Sequence, residues 1–478
     1  KRPFLKAFGI LFLVLVLAIG ICDWMGWPFL AKPAEKWLSQ TLKREVILKR
    51  PDNAEADFKL RVIGGIRLEL DHVQLGAPAW SEAPYMVQGK NMKLVMNYRD
   101  LINWALNPEN ALRINTLKAD FLDAHLERLA DGRASWQLNP DKPRTESSPP
   151  PNFGLLAIKN GTIQYSDAPL DLKMNVKLSS QDGHEQTSAL KVSAHGDYQN
   201  KKLDLQLASS GILPWVAEDA KPIPVTLNAS LEGVKLSFKG QAADALQMQQ
   251  ISGHFVVSGR SLGTVGDALE ITLPNTPAFR TEGDLSRDAT TWKATIGNAT
   301  IGSSQLTGDF EYEGAQHPPM LSGNLKGTSL VLADLGPTVG ASQAKADSEK
   351  NTSGKVLPDR PFDLPALRAM NAEVSIDIDH LDLGSEIVKP LRPLRAHLTL
   401  TDGVLKIEDI QAETVQGQLT GMVQLDGRES LALWELNLNW KGIQLDQWLN
   451  LKSPRDQTPY VTGQVKGSSQ LKGQGRST

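Results

Sequence analysis

The chain has only one cysteine, Cys22, among its 478 residues. A disulfide framework or a thiolate metal site within the chain is therefore excluded. Neither sign of charge is in excess: 51 lysines and arginines stand against 54 aspartates and glutamates, giving a net charge of −3. Proteins that bind nucleic acid neutralise phosphates with a basic surface, so no nucleic-acid partner is expected.

Catalytic and metal-binding motifs are also missing. The histidines show no paired spacing, and neither a Gly-x-x-x-x-Gly-Lys-Ser/Thr loop nor a Gly-x-Ser-x-Gly turn occurs. Ser469 and Lys472 fit Ser-x-x-Lys, but the partner motifs of that enzyme class are absent. Asp377 and Asp379 share a strand face that the hydrophobic alternation places in water, which favours solvated charges over an acid–base pair. We therefore expect no enzyme, no metal site and no cofactor.

One long apolar run is present, from Phe4 to Cys22, and Lys6 is its only charged residue. As a helix it would span roughly 28 Å at about 1.5 Å per residue, close to the hydrocarbon thickness of a bilayer. Basic residues precede the run and Asp23 follows it, which predicts a cytoplasmic N-terminus. We expect an uncleaved signal anchor; the alternative is a signal peptide cleaved after Ala18-Ile19-Gly20. The expected anchor residues are Phe4, Leu11, Val14, Leu17, Ile21, Trp24 and Trp27.

Beyond a short amphipathic helix predicted at 30–46, the dominant hydrophobic period is two. Strict alternation is typical of strands with one dry and one wet face, so it predicts a mainly β protein built from antiparallel strands. Glycine-containing pairs at 160–161, 232–233, 402–403 and 426–427 are predicted turns. The candidate residues of the dry face are Leu170, Leu172, Met174, Val176, Leu178, Leu203, Leu205, Leu207, Val225, Leu227, Leu306, Phe310, Val374, Ile376, Ile378, Leu398, Leu400, Leu419, Val423 and Leu425.

Two low-complexity segments divide the chain. A proline- and serine-rich linker is predicted at 139–152 and a polar linker at 337–356. They separate an anchor at 1–22, an N-terminal β region with short helices at 23–138, a central β region at 153–336 and a C-terminal β region at 357–478. Further short helices are predicted at 99–106, 262–269 and 442–451.

The tetrapeptide Gln-Leu-Thr-Gly occurs twice, at 305–308 and at 418–421. The alternation around both copies predicts one strand of a repeated sheet unit, with Leu306 and Leu419 on the dry face. Gly308 and Gly421 fall on the same face. A strand glycine there leaves room for a ligand or a bend, or else marks a bulge or crowded packing.

Alternation alone does not identify what covers the dry face. A sandwich covers it with a second sheet and a barrel with its own lumen. A long curled sheet can instead leave an open trough for an apolar ligand. All three remain open from the residue pattern.

Several passages resemble the AsmA family of bacterial envelope proteins, which includes TamB-like and YhdP-like members. The resemblance begins with RLELDHVQLGAPAW (67–80) and continues through 114–138, 156–167, 256–285, 325–340 and 391–427. The stretches at 262–285 and 330–337 are similar to the branch of medium-length AsmA-like proteins. Family members normally continue past the last residues of this sequence, so we expect both ends to be truncated.

The resemblance implies an elongated, curled antiparallel sheet that forms an apolar groove on a periplasmic protein anchored in the inner membrane. It also implies phospholipid transport to the outer membrane or support of outer-membrane homeostasis. The implied partners are the membrane, phospholipids and an outer-membrane or envelope protein. The alternatives are an assembly or chaperone-like factor for outer-membrane proteins, binding clients at a sheet edge, and a structural or regulatory envelope protein.

Overall fold

The computed structural model describes residues 17–48, 58–106, 112–137, 152–180, 190–210, 222–243, 250–269, 275–335, 364–383, 389–414, 416–449, 459 and 461–475. The chain divides into two compact units. The first comprises residues 1–230 and 241–248, and the second comprises residues 231–240 and 249–478.

Strands dominate both units, which confirms the mainly β prediction. The first unit contains β1 (Val46–Ile47), β2 (Phe58–Arg61), β3 (Ile66–Leu75), β4 (Val87–Met96), β5 (Arg113–Arg128), β6 (Asn152–Asp167), β7 (Leu172–Ser180), β8 (Leu190–Tyr198), β9 (Lys201–Ser209) and most of β10 (Ile223–Leu231). The second contains most of β11 (Val234–Ala242), then β12 (Gln250–Gly259), β13 (Phe279–Asp288), β14 (Thr291–Ile301), β15 (Ser304–Glu313), β16 (Met320–Val331), β17 (Asn371–Ile378), β18 (Leu381–Asp382), β19 (Leu394–Thr401), β20 (Val404–Glu413), β21 (Gln418–Asp426), β22 (Ala432–Gln444) and β23 (Gln464–Gly475).

The helices are few and short. They are α1, described over 17–25, α2 (Ala31–Leu42), α3 (Tyr98–Leu106), α4 (Leu262–Leu269), α5 (Leu364–Ala369) and α6 (Leu445–Trp448), with single 3-10 turns at Pro28–Leu30 and Leu332–Leu335. The predicted helix at 262–269 is confirmed. The one predicted at 442–451 is mostly wrong, because residues 442–444 continue β22 and only α6 is helical.

The anchor prediction falls partly outside the described residues, which include neither Phe4, Leu11 nor Val14. Leu17, Ile21 and Trp24 lie in α1 and Trp27 follows it. Across the described part of the chain, no helix combines the length and the apolar character that a membrane crossing requires. The two predicted linkers also lie almost wholly outside the described residues, so the domain boundaries drawn there stay predictions.

Consecutive strands in the first unit pair mainly as antiparallel neighbours. β3 pairs with β1, β2 and β4, and antiparallel pairing continues from β4 to β5 and from β6 through β9. β5 and β6 pair in parallel. A parallel pair needs a long crossover, which the segment carrying the predicted proline-rich linker supplies. At the start of this unit, α2 packs on the sheet through a cluster around Ala31, Val46 and Phe58.

The second unit repeats this arrangement. β12 through β16 pair antiparallel in chain order, and β19 through β23 do the same. β17 joins these two sets, parallel to β16 and antiparallel to β19. Among the described pairings none connects β23 back to β12, so this sheet is open rather than a closed barrel.

Two of the predicted turns illustrate how local sequence acts. Asp402 and Gly403 both have positive φ and link β19 to β20, as a two-residue hairpin turn requires. In contrast, the turn predicted at Asn160-Gly161 is wrong, because both residues lie inside β6. A Cβ at Gly161 would lie 2.8 Å from the Leu178 side chain, so the glycine serves close packing against β7.

The two Gln-Leu-Thr-Gly copies occupy equivalent places. Each lies at the start of the second strand of a hairpin, formed by β14–β15 or by β20–β21. Leu306 is opposite Ala299, and Leu419 is opposite Ala412. Both hairpins also contain a register shift in the first strand. The tetrapeptide therefore marks the same position in two similar hairpins.

The glycines of these copies do not leave room for a ligand. A Cβ at Gly421 would lie 2.1 Å from the carbonyl oxygen of Asn437, and one at Gly308 would lie 2.5 Å from that of Asn324. In a flat sheet a side chain points away from the neighbouring backbone. The close carbonyls therefore show crowded packing against the next strand, and the alternative of a bulge or crowded packing is the correct one.

Replacing Gly421 with alanine tests this crowded packing. Gly421→Ala should lower the free energy of unfolding by about 1–3 kcal/mol, because the new methyl group must displace backbone. Gly467→Ala is the matched control in β23, where nothing lies within 4 Å of the added Cβ. Urea unfolding of both variants measures the difference; equal midpoints would contradict the crowded packing.

Candidate functional site

Strand β7 shows the two faces of the first unit. Leu172, Met174, Val176 and Leu178 are half-buried, whereas the intervening Lys173, Asn175 and Lys177 are exposed. β9 repeats the pattern, with half-buried Leu203, Leu205 and Leu207 and exposed residues between them. The alternation predicted from sequence thus separates an apolar face from a solvated one.

Strand pairing aligns the apolar side chains of this unit into a row. Residues directly opposite each other on neighbouring strands point to the same side of the sheet. One such row crosses six strands and comprises Val87, Ala124, Ile163, Val176, Ala194 and Leu205. We call this row and its apolar neighbours on β7 and β9 the first band.

A buried polar cluster lies beside the first band. The Asp167 carboxylate is 1% exposed and contacts the Arg128 guanidinium at 2.7 Å. The Tyr165 hydroxyl donates to the same carboxylate at 2.7 Å. Burial and then this hydrogen bond raise the pKa of Tyr165 to about 12, so the phenol stays neutral at physiological pH. The Asp167 carboxylate is thus paired within the sheet, whereas the Nε of Arg128 is buried without a hydrogen-bond partner.

The second unit carries a longer row. It crosses ten strands and comprises Leu285, Ala294, Phe310, Gly323, Val374, Leu398, Ile407, Val423, Leu436 and Leu471. At about 4.8 Å per strand, its ends are roughly 43 Å apart along the sheet. No polar side chain interrupts it. We call this row the second band.

Covered clusters flank the second band along the strand direction. On one side, α4 and α6 pack over a core that includes Ile378, which is 0% exposed. On the other side, Leu364 and Leu367 of α5 cover Leu425. Most of the band between them is only half-buried, as Phe310, Leu398 and Val423 show. Within the described residues, these clusters leave the middle of the apolar face open.

The opposite face of both sheets is charged. Cross-strand pairs on it include Lys159 with Asp120 at 2.7 Å and Lys293 with Glu311 at 3.1 Å. The Lys159 ammonium lowers the pKa of Asp120 through their hydrogen bond. Asp377 pairs with Arg395 at 3.5 Å. These are solvated surface pairs, which contribute little to stability and keep this face in water.

The predicted dry-face residues divide into three groups. Leu172, Met174, Val176, Leu178, Leu203, Leu205, Leu207, Leu227, Phe310, Ile376, Leu398 and Val423 are half-buried on the apolar face. Val225, Leu306, Val374, Ile378, Leu400, Leu419 and Leu425 are buried. Leu170 is 42% exposed in the turn before β7, so its predicted place on that strand is wrong.

Sequence reasoning missed several members of the bands. Ile407 lies in an alternating stretch and could have been identified from that pattern. Ala194 and Ala294 could not, because alanine occurs on either face and carries no hydrophobic signal of its own. Among the residues that the structure describes, no group of histidine, cysteine, aspartate or glutamate side chains could hold a metal ion.

The chain is similar to proteins of a described family. The sequence model of the AsmA family matches residues 4–478, a range that includes both bands. The AsmA family protein YhjG of Escherichia coli (strain K12) is 25% identical over 301 residues, which cover 59% of this chain and 43% of that relative. This chain therefore aligns with less than half of the relative's length. No solved structure matches the chain significantly.

A matched pair of leucines tests whether the second band is open. Leu419→Ala, in the covered cluster, should cost about 2–5 kcal/mol of unfolding free energy, as truncations of buried leucines do. Leu436→Ala, half-buried on the band in the neighbouring strand, should cost about 1 kcal/mol, because water already reaches the side chain. Equal losses in denaturant titrations would indicate a closed core instead.

Proposed function

The chain belongs to the AsmA family, and from that premise we propose that it binds phospholipid acyl chains along its two apolar bands and supports phospholipid transport toward the outer membrane. Family membership indicates an envelope-related role. The observation that carries the proposal is the second band: an uninterrupted, largely half-buried apolar row across ten strands.

The energetics favour an acyl chain as the occupant. Exposing hydrocarbon to water costs about 0.8 kcal/mol per methylene, or roughly 12 kcal/mol for a chain of about fifteen carbons. The half-buried leucines of each band incur a similar cost per unit of apolar area. When an acyl chain packs on a band, the apolar surfaces of both are removed from water, so both hydration costs are avoided. This contact needs no catalytic group, metal or cofactor.

The polar face supports the same proposal. Its charged pairs hold that side in water. A ligand that needs an apolar surface can therefore bind only to the opposite, apolar face. The bands carry no fixed charge, which suits acyl chains rather than headgroups. We therefore propose binding that is indifferent to headgroup along the bands.

We further propose that the run from Phe4 to Cys22 anchors the chain in the inner membrane, with its N-terminus cytoplasmic and the two units periplasmic. The described part of α1 supports this: Leu17, Ile19 and Ile21 are exposed apolar side chains that lipid would cover. An outer-membrane or envelope protein would be the partner on the side facing the outer membrane. Catalysis forms no part of the proposal.

Photo-crosslinking tests lipid contact. A photoreactive amino acid at Val176 or Val423, on the bands, should capture phospholipid in cells. The same group at Asn175 or Thr420, exposed on the opposite face of the same strands, should not. Lipid capture from the polar face alone would overturn the proposal. Capture of unfolded outer-membrane proteins without lipid would favour the assembly-factor alternative.

A charge on the band tests transport. Val423→Arg should abolish phospholipid transfer to the outer membrane, because a guanidinium in the path of an acyl chain is costly to desolvate. Thr420→Arg places the same group on the wet face of β21 and should leave transfer intact. Unfolding curves of both variants must match the parent protein. Normal transfer by folded Val423→Arg protein would contradict conduction along this band.

A further inference from the structure

Exposed apolar side chains gather at the start of the first unit. Trp24 is 80% exposed, and Met25 and Phe29 are more than half exposed. These residues directly follow the apolar run that ends at Cys22. Soluble surfaces rarely expose several large apolar side chains together, so such a patch marks a contact with a partner or a membrane.

Hydrogen bonds fix a loop of the sheet to this point. The Asp23 carboxylate accepts from the backbone N–H of Val62 at 2.6 Å and from that of Ile63 at 3.3 Å. The carbonyl of Gly26 accepts from the N–H of Leu60 at 2.8 Å. The turn between β2 and β3 is thereby held against the end of α1, and Ile63 in that turn is itself exposed.

Helix α3 joins the same group. The Tyr98 hydroxyl donates a hydrogen bond to the carbonyl of Val62. Tyr98, Ile102 and Leu106 follow helical spacing along one face, and Ile102 is 55% and Leu106 73% exposed. Leu101, on another side of the helix, is half-buried. α3 therefore presents an apolar face that no described residue covers.

We propose that these side chains, on α1, on the 3-10 turn at Pro28–Leu30, on the β2–β3 turn and on α3, enter the boundary between headgroups and acyl chains of the membrane that anchors the protein. We call this set the membrane seat: Trp24, Met25, Phe29, Ile63, Tyr98, Ile102 and Leu106. The inference rests on the proposed anchor and deepens it, since it names a second, peripheral contact with the same bilayer.

Three observations favour a bilayer as the occupant. The seat begins two residues after the apolar run, so a membrane entered by that run lies beside it. Tryptophan and tyrosine are the side chains that prefer the membrane interface. Arg61 and Arg99 are exposed next to the seat and suit lipid phosphates. A helix with one apolar and one polar face lies in the plane of such an interface.

α3 connects the C-terminal end of β4 to the N-terminal end of β5. A seated α3 therefore holds these two strand ends at the membrane surface. Val87 and Ala124, which the same strands contribute to the first band, lie toward their opposite ends, roughly 30 Å away at about 3.3 Å per residue.

Environment-sensitive labels on the full-length protein test the seat. In a Cys22→Ser background, single cysteines at Ile63, Ile102 and Leu106 carry the NBD fluorophore, and the protein is reconstituted in phosphatidylethanolamine–phosphatidylglycerol vesicles. The control is Lys202→Cys in β9, whose native side chain is 81% exposed. At the seat, emission should shift to the blue, doxyl-labelled lipid should quench it and aqueous iodide should not. At position 202, emission should not shift to the blue, aqueous iodide should quench it and doxyl-labelled lipid should not.

Two results would overturn the seat. Iodide quenching at Ile102 and Leu106 equal to that at Lys202 would mean that the helix face stays in water. Protection from iodide without quenching by doxyl lipid would mean that a protein, including a second copy of this chain, covers it.

The seat and the band proposal fail separately. Lipid captured from Val423 while the seat labels stay in water would remove the seat alone. Labels inside the bilayer with no lipid captured from Val176 or Val423 would remove the band proposal alone. As a further check, Ile102→Glu with Leu106→Glu should fold normally, because both sites are exposed, and should abolish the doxyl quenching at Ile63.

Discussion

The structure depends on one constraint: an apolar sheet face has to be removed from water, and each unit leaves the middle of that face without a described cover. In the second unit the covered and the open parts of the apolar face adjoin each other on the same strands. Ile378 and Leu419 are sealed under helices, while Phe310, Leu398 and Val423 on the adjoining row are half-exposed. The covered clusters stabilise the sheet, so the band between them can remain available without loss of the fold. An apolar ligand on the band, as we propose, would remove the remaining apolar surface from water.

The close strand contacts and the charges serve the same arrangement. Gly308 and Gly421 let the neighbouring strand approach closely, where a Cβ would collide with a carbonyl oxygen. The opposite face carries lysines and carboxylates in solvated cross-strand pairs, which keep that face in water. A one-residue slip would exchange the two faces, so the period of two specifies register as well as fold class.

Much of the fold followed from hydrophobic alternation, but the division of the dry face into open and covered parts did not. Leu398 and Leu400 lie two residues apart with the same pattern, yet one is half-buried and the other buried. Cover comes from other segments of the chain, such as α4 and α6 around Ile378 and α5 over Leu425, and the sequence of the covered strand carries no signal of that contact. The turn prediction at Asn160-Gly161 was wrong for a related reason. Glycine is needed at position 161 because the Leu178 side chain on the next strand packs closely against it. The exposed face of α3 could be identified only once its surroundings were known.

Native mass spectrometry of the full-length protein, extracted gently in detergent, tests the central claim most directly. Acyl chains held on the bands should survive extraction, so the spectrum should show mass increments that fragment to phospholipid. The Val423→Arg protein should carry fewer of them. A folded protein that is consistently free of lipid, in both forms, would contradict the account.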